Sequence, residues 1–175
     1  MKLIATIQQY DTSMFIWCMA RKHLDQFRRL SRWISRSGDG YLYALLGIGL
    51  HFSGIPEHHL FLYTALIAFL IERPLYFVLK NGLRRNRPQE ALQNFRSFII
   101  PSDKFSFPSG HTSAAFVMAT LAGYFYPSLL LPGVLWAALV GLSRIFLGVH
   151  FPTDILVGMV MGVGIACASL RIFIA

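Results

Sequence analysis

The sequence predicts an all-α, polytopic membrane helical bundle, and three observations carry that prediction. Of the 175 residues, 55% are hydrophobic and only 14% charged, whereas a soluble domain carries roughly 45–50% apolar and about 25% charged residues. The apolar residues are gathered into several long runs, the pattern of successive spans. No internal period is visible, and the composition excludes disorder, collagen, coiled coil and repeat architectures. The chain reads as a membrane-embedded core, residues 39–175, preceded by a basic segment, residues 1–38.

Charge is distributed unevenly. The 16 Lys+Arg against 8 Asp+Glu give a net +8. Residues 1–38 hold seven of the cations and residues 80–104 another six. In a chain committed to lipid, this excess points to anionic headgroups or phosphate substrates, not to nucleic acid.

Each element follows in order. Residues 3–20 are moderately apolar but interrupted by Gln8, Gln9, Asp11 and Thr12. They predict an interfacial or half-inserted helix, a sixth span if it crosses, and no cleaved signal peptide. In the next segment Leu24, Phe27, Leu30 and Ile34 recur at helical spacing among Arg21, Lys22, Arg28, Arg29, Arg32 and Arg36. That is an amphipathic helix lying in an interface, with Trp33 at headgroup level. The breaker Ser37-Gly38-Asp39-Gly40 then precedes a first span, Tyr41 to about Ile55. At 1.5 Å per residue this run is about 22 Å long, short for a hydrocarbon core of about 30 Å.

The second span runs from His59 to Leu79 and ends at Lys80; within it, Glu72 and Arg73 are costly at depth and are expected to pair with other helices. The third starts near Thr112 and ends at the Tyr124–Pro127 boundary. The fourth covers Ser128 to about Leu147, with Gly148 as the helix C-cap. The fifth begins at Pro152, suited to a first helical position, and runs to Ile174. Its Gly158, Gly162 and Ala166 form a small-residue face for close helix packing. Cys18 and Cys167 lie in apolar stretches without metal-ligand spacing and read as small buried hydrophobes.

This topology sends the end of the second span, the start of the third and the turn between the fourth and fifth to one membrane face. Lys80, Arg87, His111, Arg144 and His150 therefore converge. The two guanidinium forks match phosphate oxygens, and the ammonium adds a third cation. Ser109-Gly110 open the third helix, so its N-terminal N–H groups aim at the same place. Three cations, free N–H groups and a hydroxyl make a phosphate cradle suited to phosphoryl transfer. One histidine can attack phosphorus and the other can protonate the departing oxygen. Asp154, four residues after His150, can hold the imidazole tautomer. Taken singly, the run Lys80, Arg84, Arg85 and Arg87 reads as a solvated juxtamembrane stretch; only the conjunction points to chemistry.

Lys80-x6-Arg87-Pro88, then Pro108-Ser109-Gly110-His111, then Ser143-Arg144-x5-His150-x3-Asp154 resemble the three-part signature of the type-2 phosphatidic acid phosphatase superfamily, at all eleven specified positions. The resemblance covers residues 80–154 directly. It implies that His150 is the nucleophile forming a phosphohistidine, that Asp154 orients it, and that His111 protonates the leaving group. It further implies that Lys80, Arg87, Ser109, Gly110 and Arg144 bind phosphate oxygens and that no metal or other cofactor is needed. Nor does the sequence offer a carboxylate cluster for Mg²⁺.

Within the superfamily, a small membrane member is most similar to bacterial lipid phosphatases. The expected substrates are phosphatidic acid, phosphatidylglycerol phosphate or undecaprenyl pyrophosphate. A lipid A phosphatase or phosphotransferase and a non-catalytic lipid-phosphate-binding protein are the alternatives; the soluble vanadium haloperoxidases fit neither length nor spans. Lys/Arg counting would put the basic segments in the cytoplasm. The cradle cations are explained by phosphate instead, and the resemblance implies an active site on the extracytoplasmic face of a bacterial inner membrane.

Overall fold

The structure, a computed structural model, describes residues 2–174, and among them all regular structure is helical. In chain order the helices are α1 (Lys2–Met19), α2 (Leu24–Ser37), α3 (Gly40–His51), α4 (Pro56–Leu83), α5 (Pro88–Ala91), α6 (Gly110–Phe125), α7 (Leu130–Phe146) and α8 (Pro152–Ile174), with a 3₁₀ turn at Pro127–Leu129. Three stretches, His58–Ala91, Pro127–Phe146 and Pro152–Ile172, are long and apolar enough to cross a membrane, and α3 is a shorter apolar helix.

The central element is α6, which packs against α8, α7 and α4. Its sequence explains that position: one turn after another carries Ala, Ser, Thr or Gly, which lets neighbouring backbones approach. Ala114, Ala115, Phe116, Val117, Ala119 and Leu121 are all buried. Val117, Met118 and Leu121 meet Phe61, Ala65 and Ala68 of α4 and Met161, Ile165 and Ala166 of α8 in one apolar cluster. The outward faces of α4, α7 and α8 keep Leu70, Val78, Leu135, Leu139, Leu156 and Val160 exposed, the surface a hydrocarbon solvent requires.

The small face of α8 does what its spacing predicts. A Cβ on Gly158 would come within 2.7 Å of the Ser109 carbonyl oxygen, and one on Gly162 would run into that of Ser113. At the other end of α7, Gly148 has φ +77° and its N–H bonds the Ile145 carbonyl at 2.8 Å, a left-handed helix stop.

Several boundaries and orientations differ from expectation. The first core helix stops at His51, not near Ile55. The Ser53 hydroxyl donates to the Leu50 carbonyl at 2.7 Å, and Gly54 turns the chain at φ +69°. The second begins at Pro56 and continues through Leu83, so Lys80 lies within its last turn and not beyond it. Glu72 and Arg73 pair with each other, Arg73 Nε donating to Glu72 Oε2, and not with other helices; the long Arg side chain folds back along the helix to its neighbour. Cys167 is exposed on the outer face of α8 and is not a buried hydrophobe.

The N-terminal helices are bound to the bundle. Helix α2 lies along α7 and buries Ser31 and Ser35, while Phe27, Leu30 and Trp33 stay exposed. Helix α1 buries Phe15 edge-on against Phe95 and Phe151, at 5.1 and 5.4 Å between ring centroids.

The α6–α8 contact yields a stability prediction. Gly162→Ala should destabilise the fold by about 1–3 kcal/mol through overpacking against Ser113. Gly164→Ala, whose added methyl meets nothing within 4 Å, should not. Thermal unfolding in detergent of the two variants side by side makes the comparison.

Candidate active site

One end of the bundle gathers polar groups from six segments around a cavity of about 870 Å³. Arg87, Gly110, His111, Arg144 and His150 line it, together with Asp103 and the apolar residues of α3 and α4. Lys80 is buried at its edge, and Asp154 is fully buried behind His150. Lys80 comes from the end of α4, Arg87 from the turn into α5, and His111 from the first turn of α6. Arg144 comes from the last turn of α7, and His150 from the α7–α8 linker. Residues spread over 70 positions of sequence thus meet because α4, α6, α7 and α8 all end or begin at one level.

His150 Nδ1 lies 3.4 Å from Asp154 Oδ2, longer than a hydrogen bond. Asp154 is held from elsewhere: Oδ2 accepts the Phe151 N–H at 2.8 Å and Oδ1 accepts Arg85 at 2.7 Å. Burial pushes the His150 imidazole down to about 3, the charges of Arg144 and Arg87 push the same way, and Asp154 only partly offsets them. These surroundings favour the neutral imidazole over the imidazolium.

His111 has a carboxylate partner as well, Nε2 lying 3.0 Å from Asp39 Oδ1. Two His–Asp pairs thus stand at the cavity, the second supplied by the breaker that separates α2 from α3.

The cations are not bare. Lys80 Nζ donates to Asp103 Oδ1 at 2.8 Å, Arg87 NH2 donates to the same oxygen, and the Tyr76 hydroxyl donates to Oδ2. Burial alone would raise the Asp103 carboxyl, but the hydrogen bonds from Lys80 and Tyr76 and the charges of Lys80 and Arg87 outweigh it and hold it down to about 2. Arg87 also donates to the Val149 carbonyl at 2.6 Å, and Arg144 to the Ser35 hydroxyl at 2.6 Å. Each guanidinium is thereby fixed in orientation before any ligand arrives.

Ser109 sits differently from the sequence expectation of a hydroxyl facing phosphate. Its Oγ is the N-cap of α6, accepting from the Thr112 N–H, and lies 2.9 Å from Thr112 Oγ1. What Ser109 contributes to the cavity is the start of the helix, with the Gly110 and His111 N–H groups in its first turn. Gly110 is confined as well: a Cβ there would meet the Tyr76 ring at 2.8 Å.

Four functional positions escaped the sequence reading: Asp39, Asp103, Arg85 and Asp11. Arg85 reads as solvated in a basic run, yet it is the most connected side chain near the site. It bonds Asp154 and Thr153 at 2.7 Å each, Gln8 at 2.8 Å, and Asp11. Asp11 in turn accepts the Thr153 N–H at 2.9 Å. An aspartate inside the apolar N-terminal run was the available signal, because a charge there requires a partner. Among the described residues no group of three His, Cys, Asp or Glu is arranged to hold a metal ion.

Comparison with known proteins bears on this geometry. The family model described as the PAP2 superfamily matches residues 58–175. Phosphatidylglycerophosphatase B of Bacillus subtilis (strain 168) is 38% identical over 109 residues, 55% of this chain and 50% of that protein. The bacitracin transport permease protein BcrC of Bacillus licheniformis is 31% identical over 129 residues, 70% of this chain and 62% of that one. The chain thus aligns with about half to three-fifths of the length of these relatives. Among solved structures, Aquifex aeolicus LpxE superposes with a TM-score of 0.78 at 28% identity, covering 91% of this chain and 93% of that one. The first transmembrane PAP2 type phosphatidylglycerolphosphate phosphatase from Bacillus subtilis gives a TM-score of 0.75, covering 95% and 86%; at 24% identity it speaks to the fold alone.

Arg85→Ala should leave Asp154 and Asp11 buried without their shared cation and lower stability by about 3–5 kcal/mol. Arg84→Ala, which removes only a bond to the Asn81 carbonyl on an exposed turn, should cost less than about 1 kcal/mol. Denaturation of the two variants in detergent tests the asymmetry.

Proposed function

The chain belongs to the PAP2 superfamily, and from that premise we propose that it is a multi-pass membrane lipid phosphatase working through a phosphohistidine. The observation that carries the proposal is the pair of His–Asp couples facing one cavity between fixed guanidinium groups. In this reading Lys80, Arg87 and Arg144, with the Gly110 and His111 N–H groups, bind the phosphoryl oxygens, and Ser109 serves by capping the helix that presents them. Their positive charge is matched to the charge that spreads over those oxygens in the transition state.

His150, with Nδ1 turned toward Asp154, attacks phosphorus through Nε2. As the N–P bond forms, the bond from phosphorus to the lipid oxygen breaks and its electron pair stays on that oxygen. His111, oriented by its contact with Asp39, supplies the proton that neutralises it. A water then attacks phosphorus, His111 takes a proton from it, and the N–P bond breaks to give orthophosphate and the original imidazole. Asp154 keeps His150 oriented throughout, and Arg85 keeps Asp154 in place. No metal is invoked: the nucleophile is the ring, and the cations carry the charge stabilisation.

The substrate class is a lipid bearing a terminal phosphate, drawn from phosphatidic acid, phosphatidylglycerol phosphate and undecaprenyl pyrophosphate. The cavity supports a lipid, since beyond the polar end it continues along Tyr43, Gly47 and Ile48 of α3 and Leu62, Leu66 and Phe69 of α4. We place the enzyme in a bacterial inner membrane with the site on the extracytoplasmic face.

His150→Ala should cut phosphate release from phosphatidic acid, phosphatidylglycerol phosphate or undecaprenyl pyrophosphate by at least about a thousandfold while leaving the unfolding temperature near that of the parent. Comparable release from the variant would remove the mechanism. Vanadate should inhibit competitively at micromolar to millimolar concentration, and EDTA should have no effect. Loss of activity in EDTA, restored by Mg²⁺, would replace the histidine mechanism with a metal one.

A further inference from the structure

Arg73 is the charge that the mechanism does not use. It lies on α4 seven residues before Lys80, roughly 10 Å deeper along the helix axis, within the stretch His58–Ala91 that is apolar enough to cross a membrane. A cation at such depth is expensive unless it serves a function. Its neighbour Glu72 is fully buried and takes the Arg73 Nε–H, which neutralises the pair but occupies only one edge of the guanidinium. Arg73 lines the cavity and Glu72 does not. The Arg73 side chain is 45% exposed and is part of the cavity wall, so a ligand there can reach it.

The position of that guanidinium relative to the cradle follows from one ring. Arg73 Cζ lies 4.8 Å from the centroid of Tyr76, and Lys80 Nζ lies 4.5 Å from the same centroid. Gly110, in the opening turn of α6, packs against that ring too. Arg73 thus sits one step from the cradle toward the apolar end, between Tyr76 and Phe69 on the cavity face of α4. Across from it on α3, Tyr43 stacks on Phe69 at 5.9 Å, and its buried hydroxyl has no hydrogen-bond partner among the described residues. A fourth cation, with a buried, unpartnered hydroxyl beside it, therefore stands on the side of the cradle toward the apolar end of the cavity.

We propose that Arg73, assisted by the Tyr43 hydroxyl, is a binding subsite for a phosphate carried by the leaving group. The inference rests on the phosphatase reading and sharpens its substrate class. The lipid released by this enzyme is itself an anion, as from a prenyl diphosphate or phosphatidylglycerol phosphate, and phosphatidic acid, whose leaving group is neutral diacylglycerol, is the poorer substrate. For a diphosphate the step balances in the same way. The bridging P–O bond breaks, and its oxygen departs on the prenyl phosphate with the electron pair. Arg73 stabilises that charge while His111 donates its proton.

The test compares kcat/KM for undecaprenyl diphosphate, phosphatidylglycerol phosphate and phosphatidic acid in the purified full chain and two variants. Glu72→Gln combined with Arg73→Gln removes both charges, so no buried charge is stranded; Arg73→Lys keeps the cation. In the double variant the ratio of kcat/KM for the anionic-leaving-group substrate over phosphatidic acid should fall about tenfold to a hundredfold, and Arg73→Lys should retain most of it. Which ratio falls, that of the diphosphate or that of phosphatidylglycerol phosphate, identifies the source of the second phosphate. An equal loss on all three lipids, or no loss, overturns the inference while leaving the phosphatase reading intact. If the parent releases phosphate from none of them, that reading fails, and calorimetric binding of a prenyl methylenediphosphonate against a prenyl phosphonate decides the subsite. Tighter binding of the diphosphonate, lost in the double variant, supports it; equal binding overturns it.

Discussion

The structure depends on neutralising positive charge inside an apolar bundle. Lys80, Arg87, Arg144 and Arg85 all lie within or beside the membrane-embedded core, and an unpaired cation there would be shed or solvated at the expense of the fold. The bundle answers with acids drawn from distant segments. Asp103 takes Lys80 and Arg87, and Asp154 and Asp11 share Arg85. The arrangement also decides what each cation does. Arg85 is saturated by carboxylates and a hydroxyl, so it braces. Arg144 has no carboxylate in hydrogen-bond contact, and its Nε is buried without a partner among the described residues, so it remains available to an anion.

The same constraint explains why the segment before the core is more than an anchor. Helix α2 delivers Ser35 to Arg144, Ser37 to Trp136 and, through the following turn, Asp39 to His111. Helix α1 delivers Asp11 and Gln8 to Arg85. The face of α2 against α7 is therefore small and polar, Ser31 and Ser35 with Gly38 beyond it, where a Cβ would meet Val140 at 2.9 Å. Of its apolar residues, Ile34 packs into the core beside Val140 and Phe27 stacks on Phe146 of α7, while Leu30 and Trp33 stay exposed where a membrane interface would receive them.

How much of this was legible in the sequence varied with the range of the interaction. The helices were readable because hydropathy and the breakers Gly148, Pro127 and Pro152 are local signals. So was the approach of α8 to α6, because Gly158, Gly162 and Ala166 recur at four-residue spacing on one face. Lys80, Arg87, His111, Arg144 and His150 could be brought together by topology alone, since helix ends are where alternating spans meet. Their partners could not. Asp39 reaches His111 across 72 positions and Asp11 reaches Thr153 across 142, with no period or motif to announce either contact. Arg85 was misjudged for the same reason, as a local run of cations reads as solvated until its distant acids are known. Glu72 and Arg73 failed in the opposite direction: the rule that adjacent helical residues diverge holds for Cβ vectors, but an arginine is long enough to return.

Arg73 also limits how the cavity can be filled. On the proposed reading, a lipid held by its terminal phosphate leaves the cradle past the Tyr76 ring, which Gly110 touches on one side and Asp103 on another. Beyond that ring the α3–α4 wall is mostly apolar, with Arg73, the Tyr43 ring and, at the far end of α3, His51 as its polar residues. On the same reading, a neutral glycerol ester passing this point would replace the water around the guanidinium with uncharged ester oxygens, which accept more weakly than an anion does. A second phosphate would satisfy the guanidinium and the Tyr43 hydroxyl at once. Discrimination at the proposed subsite would therefore come from the poorer solvation of the guanidinium beside an uncharged leaving group as much as from attraction to a charged one, since a site built around a cation disfavours ligands that bring no anion.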